Sequence, residues 1–363
     1  MEIAIILLIL VIAIALIFEY INGFHDSANA ISMVVSTKAL SPRYAILYAA
    51  ILNFAGALCG THVAKTIGAG IVSHDSITQL VILSALLGAV IWNLITWYFG
   101  LPSSSSHALI GGLLGAALSH SMLGLINPSS HPLIIKIPPF SFEHPSLHVI
   151  NMSNLKEKVL WPMITSPLLG FIVGFIIVLV LLRLLYKTKP ELLNKNFRKL
   201  QLISSGFLAF SHGSNDAQKT MGIITLSLMT FGFLDNKEFV VPIWVICICA
   251  FTMALGTMTG GWKIIKTLSS KVVKMKPPHG FSVEMASASI ILTASHFGIP
   301  VSTTHITSAA IMGVGSMVKC SAVKWGIVKN IIMAWIFTIP VCILLSGGIY
   351  YLLYQTPLVG YNG

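Results

Sequence analysis

Two short polar stretches hold ionisable side chains inside an otherwise apolar chain. Residues 23–30 read Gly-Phe-His-Asp-Ser-Ala-Asn-Ala and residues 213–220 read Gly-Ser-Asn-Asp-Ala-Gln-Lys-Thr. A shift of 190 positions therefore lays Gly23 on Gly213, His25 on Asn215 and Asp26 on Asp216. A second pair recurs in the same order: Phe-Gly-Leu-Pro-Ser-Ser-Ser-Ser-His, ending at His107, matches Phe-Gly-Ile-Pro-Val-Ser-Thr-Thr-His, ending at His305, 198 positions on. An ionisable group in an apolar span costs several kcal/mol and by default marks a substrate or ion path. The plain alternative is a structural ion pair, for instance Asp26 with Lys219. Duplication of the Asp at one internal position favours function for Asp26 and Asp216, with Asn29, Asn215 and Lys219 as polar companions. Glu19 lies seven residues before Asp26, on the same face if the helix continues, yet its repeat partner is Ala209. Glu19 and Glu284 stay open between proton relay and buried, protonated scaffold, and His25, His107, His212 and His305 are further relay candidates.

Each Ser/Thr run follows a Gly-x-Pro break and opens a new apolar segment. A helix starting there presents unpaired N–H groups and the positive end of its dipole, which attract anions. The hydroxyls of Ser104, Ser105, Ser106, Ser302, Thr303 and Thr304 both donate and accept, so they suit a phosphate-like oxyanion or a dehydrated cation. Simple N-capping by Ser and Thr is the alternative. Two copies, each ending in His and each accompanied by an Asp motif, ask for more than capping.

The elements that must position these groups are apolar helices. The 363-residue chain is 55% hydrophobic and 9% charged, with a mean hydropathy of +0.87, whereas about a quarter of a soluble domain is charged. Spans of about 20 residues are needed to cross a bilayer, and they are expected near 3–22, 43–66, 79–99, 104–123 and 160–186. The second half offers 201–233, interrupted by its octet, then 240–260, 281–298, 303–319 and 326–354. Five spans per copy invert the second copy relative to the first. The expected fold is all-α, a polytopic membrane protein of about ten to twelve transmembrane helices in two inverted-topology repeats, with broken or re-entrant helices beside the Ser/Thr runs. The first repeat covers 1–186, a basic cytoplasmic connector 187–200 and the second repeat 201–363, with no separate soluble domain.

The net charge of +11 is explained by topology rather than by nucleic acid, for which no basic face is evident. Lys and Arg concentrate on the cytoplasmic side of membrane proteins. Sixteen of them, including Lys38, Arg183, Lys187, Lys263 and Lys324, fall in alternate loops, and five, Lys65, Lys136, Lys156, Lys158 and Lys237, fall in the others. Both termini are thus expected outside, and Lys219 belongs to an octet. The first span lacks a basic n-region and a cleavage-like site, so it is expected to stay in the mature protein. His131, His144 and His148 fall in a Pro-rich external loop at 124–158 whose irregular spacing favours solvation over metal binding. The five cysteines form no CxxC pair and read as buried small hydrophobes.

The octets, Trp92-Asn93, Leu101 to His107 and Pro300 to His305 occur in an order that resembles the inorganic phosphate transporter (PiT) family, across essentially the whole chain. The resemblance implies a symporter of inorganic phosphate working by alternating access, with no enzymatic activity and no cofactor beyond a co-transported proton, sodium or divalent metal ion. His25 and Lys219 depart from the sodium-coupled octet, where many members have Asn. In this the chain is similar to the bacterial low-affinity Pit transporters, which implies proton coupling, a neutral metal–phosphate substrate and a cell inner membrane location. Sodium coupling is the alternative. The lipid bilayer and phosphate are the expected partners, with a second copy of the chain as a further candidate. From another class, an intramembrane hydrolase with Ser105 or Ser106 as nucleophile is opposed by the duplication and by the lack of a Gly-x-Ser-x-Gly elbow. A passive channel is opposed by the paired buried carboxylates.

Overall fold

A computed structural model describes residues 2–72, 77–126, 149–234 and 238–356. The external-loop histidines His131, His144 and His148 lie outside them. No strand occurs among the described residues; a single bridge joins Val72 to Ile150. The helices are α1 (Glu2–Ser36), α2 (Pro42–Ala57), α3 (His62–Gly70), α4 (Gln79–Phe99), α5 (Ser105–Ile126), α6 (Met152–Asn154), α7 (Trp161–Leu184), α8 (Pro190–Thr230), α9 (Ile243–Thr259), α10 (Trp262–Lys266), α11 (Pro277–His296), α12 (Thr303–Lys319) and α13 (Trp325–Tyr354). Four stretches, Ala4–Ser36, Gln79–Phe99, Met152–Leu184 and Trp325–Tyr354, are long and apolar enough to cross a membrane alone. Along α7, Ile164, Leu168, Ile172, Ile176, Val180 and Leu184 are all exposed. Spaced four apart, they form one outward apolar face, which suits lipid and not water.

Two expectations change. The octets interrupt nothing: α1 and α8 run unbroken through them, because partners on other helices satisfy the polar side chains and no backbone bond is sacrificed. The bends lie elsewhere, at Pro42–Ala57 with His62–Gly68 (73°) and at Ile243–Thr259 with Trp262–Ser269 (58°). Each contains a glycine of positive φ, Gly60 at +94° and Gly260 at +73°, a conformation that costs glycine little. The Ser/Thr runs open helices of 22 and 17 residues, as their position after Gly-x-Pro implied. Within the 187–200 connector, Pro190 takes the first-turn position of α8 and residues 190–200 are helical. Among the cysteines only Cys249 and Cys342 are buried; Cys59, Cys247 and Cys320 are exposed.

Glycine sets how α1 and α8 cross their neighbours. A Cβ on Gly213 would stand 2.1 Å from the Asn53 carbonyl oxygen, and one on Gly56 would stand 2.0 Å from that of Phe210, so α8 and α2 meet backbone to backbone. The same reciprocal crossing joins α1 to α9, where a Cβ on Gly23 would be 2.5 Å from the Met253 oxygen and one on Gly256 2.2 Å from that of Tyr20. Close approach through small residues is how helices associate where no hydrophobic drive separates them from lipid. The duplicated sequence has thus produced a duplicated contact. The halves also exchange their last helices: α13 packs on α4 and α5, and α7 packs on α11 and α12.

Candidate functional site

Both octets, deep within α1 and α8, meet the N-termini of α5 and α12. Asp26 Oδ2 accepts from Ser105 Oγ at 2.8 Å, while its Oδ1 accepts from Thr304 Oγ1 at 3.1 Å and lies 2.8 Å from His25 Nδ1. Asp216 Oδ1 faces the Lys219 ammonium at 2.5 Å; its Oδ2 accepts from Thr303 Oγ1 at 3.1 Å and lies 3.2 Å from His212 Nε2. Lys219 also donates to Ser106 Oγ. Its partner is therefore Asp216 and not Asp26, one helical turn away as i,i+3 spacing allows. Asn29, the repeat counterpart of Lys219, donates to Thr304 Oγ1 at 2.8 Å.

A register follows. The second hydroxyl of each run, Ser105 or Thr303, bonds the Asp of its own half. The third, Ser106 or Thr304, accepts from the residue three places after the Asp of the other half. The first, Ser104 or Ser302, is a cap whose Oγ accepts from the backbone N–H of His107 or His305, at 3.2 Å in both cases. Ser104 and Ser302 act as caps, Ser105, Thr303 and Thr304 bond the carboxylates, and Ser106 meets the Lys219 ammonium. Asp26, His212 and Asp216 each offer a ligand atom, all within 4.8 Å of one another and all buried. Two carboxylates that close repel by about 3 kcal/mol even at an effective dielectric of about 20. The arrangement calls for cations. Lys219 supplies one, and the Asp26–His212–Asp216 trio could hold a proton or a metal ion. The α5 and α12 N-termini with their hydroxyls and the Lys219 ammonium supply what an anion needs.

The other candidates divide. Glu19 accepts from Thr220 Oγ1, next to Lys219, and its Oε1 has no partner, which puts it at the edge of the cluster. Glu284 sits elsewhere. It accepts from Ser204 Oγ at 2.5 Å and Gln201 Nε2 at 3.1 Å. Ser204 is twelve residues from Asp216 along α8, about 18 Å at the helical rise. Glu284 therefore ties α11 to α8, away from the two Asp. His107 and His305 pack on each other at 4.7 Å between ring centres, with His305 stacked on Trp335 at 4.1 Å, behind the hydroxyl runs. Asn215 donates to Asp216 Oδ1 and to the Val301 oxygen, both at 3.2 Å, and its Oδ1 accepts from Ser295 Oγ at 2.9 Å.

Sequence reading missed Asn22, whose Oδ1 accepts from Ser105 Oγ at 2.7 Å. It also missed Asn53, whose Oδ1 lies 3.2 Å from His212 Nδ1, and Thr96, whose Oγ1 lies 3.2 Å from His25 Nε2. Asn22 and Asn53 could have been found as solitary amides in apolar runs. Thr96 carries no such mark, because a threonine in a helix commonly bonds its own backbone.

Fold and site together define a polytopic helical membrane protein with a duplicated, buried ionic centre. The chain belongs to the phosphate transporter family, whose model matches residues 22–346. It is 42% identical over 346 residues, 95% of this chain and 96% of the relative, to a "probable low-affinity inorganic phosphate transporter" of Rhizobium meliloti (strain 1021). It is 41% identical over 355 residues to a protein of the same description from Bacillus subtilis (strain 168), covering 97% and 99% of the two chains. Among solved structures it is similar to one described as "The sodium-dependent phosphate transporter", with a TM-score of 0.80, 24% identity and coverage of 96% and 98%. That likeness shows the shared fold.

Proposed function

We propose that this chain takes up inorganic phosphate by symport with protons, either as the free anion or as a neutral metal–phosphate complex. The observation that carries the reading is the pairing of Asp26 and Asp216, each within hydrogen-bond reach of hydroxyls from the α5 and α12 N-termini, with the Lys219 ammonium between Asp216 and Ser106. Hydroxyls, helix N-termini and ammonium suit the phosphate oxygens. The carboxylates would repel it unless a cation enters with it, so binding of the anion and of the coupling ion require each other. Lys219 already stands where a monovalent cation would otherwise neutralise Asp216, which favours protons or a divalent metal over sodium.

Because the halves exchange α7 and α13, alternating access in this reading moves mixed bundles, α4–α5–α13 and α7–α11–α12, around α1 and α8, in place of one sequence half rocking on the other. The lysine sorting supports an orientation with both termini outside the cytoplasm, and this reading takes the membrane to be the cell inner membrane. Sodium coupling is the second reading. It is favoured by Asn29 beside Asp26 and Thr304, oxygen groups of the kind hard cations prefer. Radiolabelled phosphate uptake into proteoliposomes, with proton, sodium and magnesium gradients imposed separately, separates them. Uptake driven by the proton gradient alone supports the proposal, and uptake that needs sodium overturns it.

A further inference from the structure

A cavity of about 530 Å³ opens beside the site, lined by Phe210, Ser214, Gln218, Ser295, His296 and His62 among others. It reaches the ionic centre through Ser295, which donates to Asn215 Oδ1, the amide of Asn215 in turn donating to Asp216. The repeat allows the opposite face to be read residue by residue. On α1 the counterparts of Phe210, Ser214 and Gln218 are Tyr20, Phe24 and Ala28, and on α4 those of Ser295 and His296 are Trp97 and Tyr98. Thr66 Oγ1 donates to the Gly298 oxygen at 2.7 Å and Thr267 Oγ1 to the Gly100 oxygen at 2.9 Å. That equivalence makes Lys263, four residues before Thr267, the counterpart of His62.

Where one face has two serines lining a cavity, the other has two aromatic rings in contact. Phe24 meets Trp97 edge to face with centres 5.5 Å apart, and Tyr20 meets Phe24 at 5.9 Å. The Lys263 ammonium lies 5.0 Å from the Trp97 ring centre and 4.4 Å from that of Tyr98, and donates to the Tyr98 carbonyl at 3.2 Å. An ammonium on aromatic faces is held by the ring quadrupole, and it fastens α10 across α4. The aromatic layer is the immediate neighbour of the ionic centre, since Phe24 precedes His25 and Trp97 follows Thr96, which contacts His25. Trp97 Nε1 is buried without a partner. A donor left unpaired in this arrangement gains a partner if the layer opens.

We propose that Phe24 and Trp97, latched by Lys263, form the gate that closes the ionic centre toward the Lys263 face, while the 530 Å³ cavity is the path from the other face. The inference rests on the transport reading. Removing the rings joins both faces through the site, and replacing Lys263 loosens the latch.

In a cysteine-free background, Ala28→Cys places a thiol at a buried position one turn from Phe24 along α1, and Ser214→Cys places one in the cavity. Thiol modification follows exposure. We expect Ala28→Cys to resist a membrane-impermeant thiosulfonate from the Lys263 face, and to react at least about tenfold faster once Phe24→Ala and Trp97→Ala are added. Ser214→Cys should react from the opposite face in both backgrounds. In proteoliposomes the double alanine variant should bind phosphate yet lose accumulation and leak it downhill. The conservative pair Phe24→Leu and Trp97→Phe, which keeps the layer filled, should retain accumulation and guards against misfolding as the cause. Ready modification of Ala28→Cys with the rings intact overturns the gate whatever the protein carries. So does a folded double alanine variant whose thiol stays protected. A wild type that neither binds nor moves phosphate, with the thiol pattern as expected, overturns the transport reading and leaves the gate standing.

Discussion

Lys219→Asn turns the second octet into a copy of the first at the position that decides its charge. In the wild type the ammonium is buried between Asp216 Oδ1 at 2.5 Å and Ser106 Oγ. Deleting one member of a buried pair leaves the other charge uncompensated, at a cost of about 3–5 kcal/mol. After the substitution, Asp216 keeps Thr303 at 3.1 Å, His212 at 3.2 Å and the Asn215 amide at 3.2 Å, but loses the ammonium. The carboxylate then recruits a cation. If half of a 3 kcal/mol deficit is recovered by binding one, cation affinity rises by about tenfold, since about 1.4 kcal/mol is one decade. The new Asn carbonyl adds an oxygen ligand suited to sodium. The expected outcome is a less stable protein that loses much of its proton-driven uptake and acquires sodium stimulation of uptake and of thermal stability. Proteoliposome uptake and melting of the purified protein, each with and without sodium, measure this. The pairing argument adds a check: Asp216→Asn on top of Lys219→Asn should recover stability lost by the lysine change alone, because the orphaned charge is gone. Additive destabilisation, or a Lys219→Asn variant indistinguishable from wild type under every gradient, refutes the reasoning.

Asp26→Asn and Asp216→Asn should each abolish uptake in a folded protein, as checked by uptake beside size-exclusion profiles. Ser105→Ala and Thr303→Ala should weaken phosphate binding by about 1–3 kcal/mol, the cost of leaving part of a charged acceptor unsatisfied. Ser104→Ala and Ser302→Ala, which remove caps, should instead lower stability by about 1 kcal/mol with binding little changed, as titration calorimetry and melting would show. Gly213→Val should prevent folding, because a Cβ would stand 2.1 Å from the Asn53 oxygen; a stable, active variant would mean that α8 and α2 do not meet there. A cysteine replacing Lys187 should resist impermeant maleimide added to intact cells while Cys59 reacts, and the reverse pattern overturns the orientation.

Apolar composition, the duplicated octets and the duplicated hydroxyl runs were legible in the chain alone, because a membrane tolerates polar groups only where they are used and repetition singles them out. So were the pairing of one Asp with one hydroxyl run per half and the odd character of Lys219. Which atoms meet was not legible. The three-residue spacing puts Lys219 beside Asp216 if the segment is helical, and the unbroken α8 brings ammonium and carboxylate to 2.5 Å, but spacing does not say that Ser106 completes the contact. Glu284 looked equivalent to Glu19 as a lone buried acid. The packing of α11 against the first turns of α8 placed it with Ser204 and Gln201 instead. The octets were expected to break their helices, yet hydroxyls and amides on α5, α12 and α2 satisfy them from outside, so the backbone had no reason to open. The exchange of α7 and α13 and the contrast between a serine-lined cavity and an aromatic layer likewise needed the tertiary structure. Both arise from contacts between residues far apart in the chain, and local sequence pattern reports only what a segment can bury, not against what it is buried.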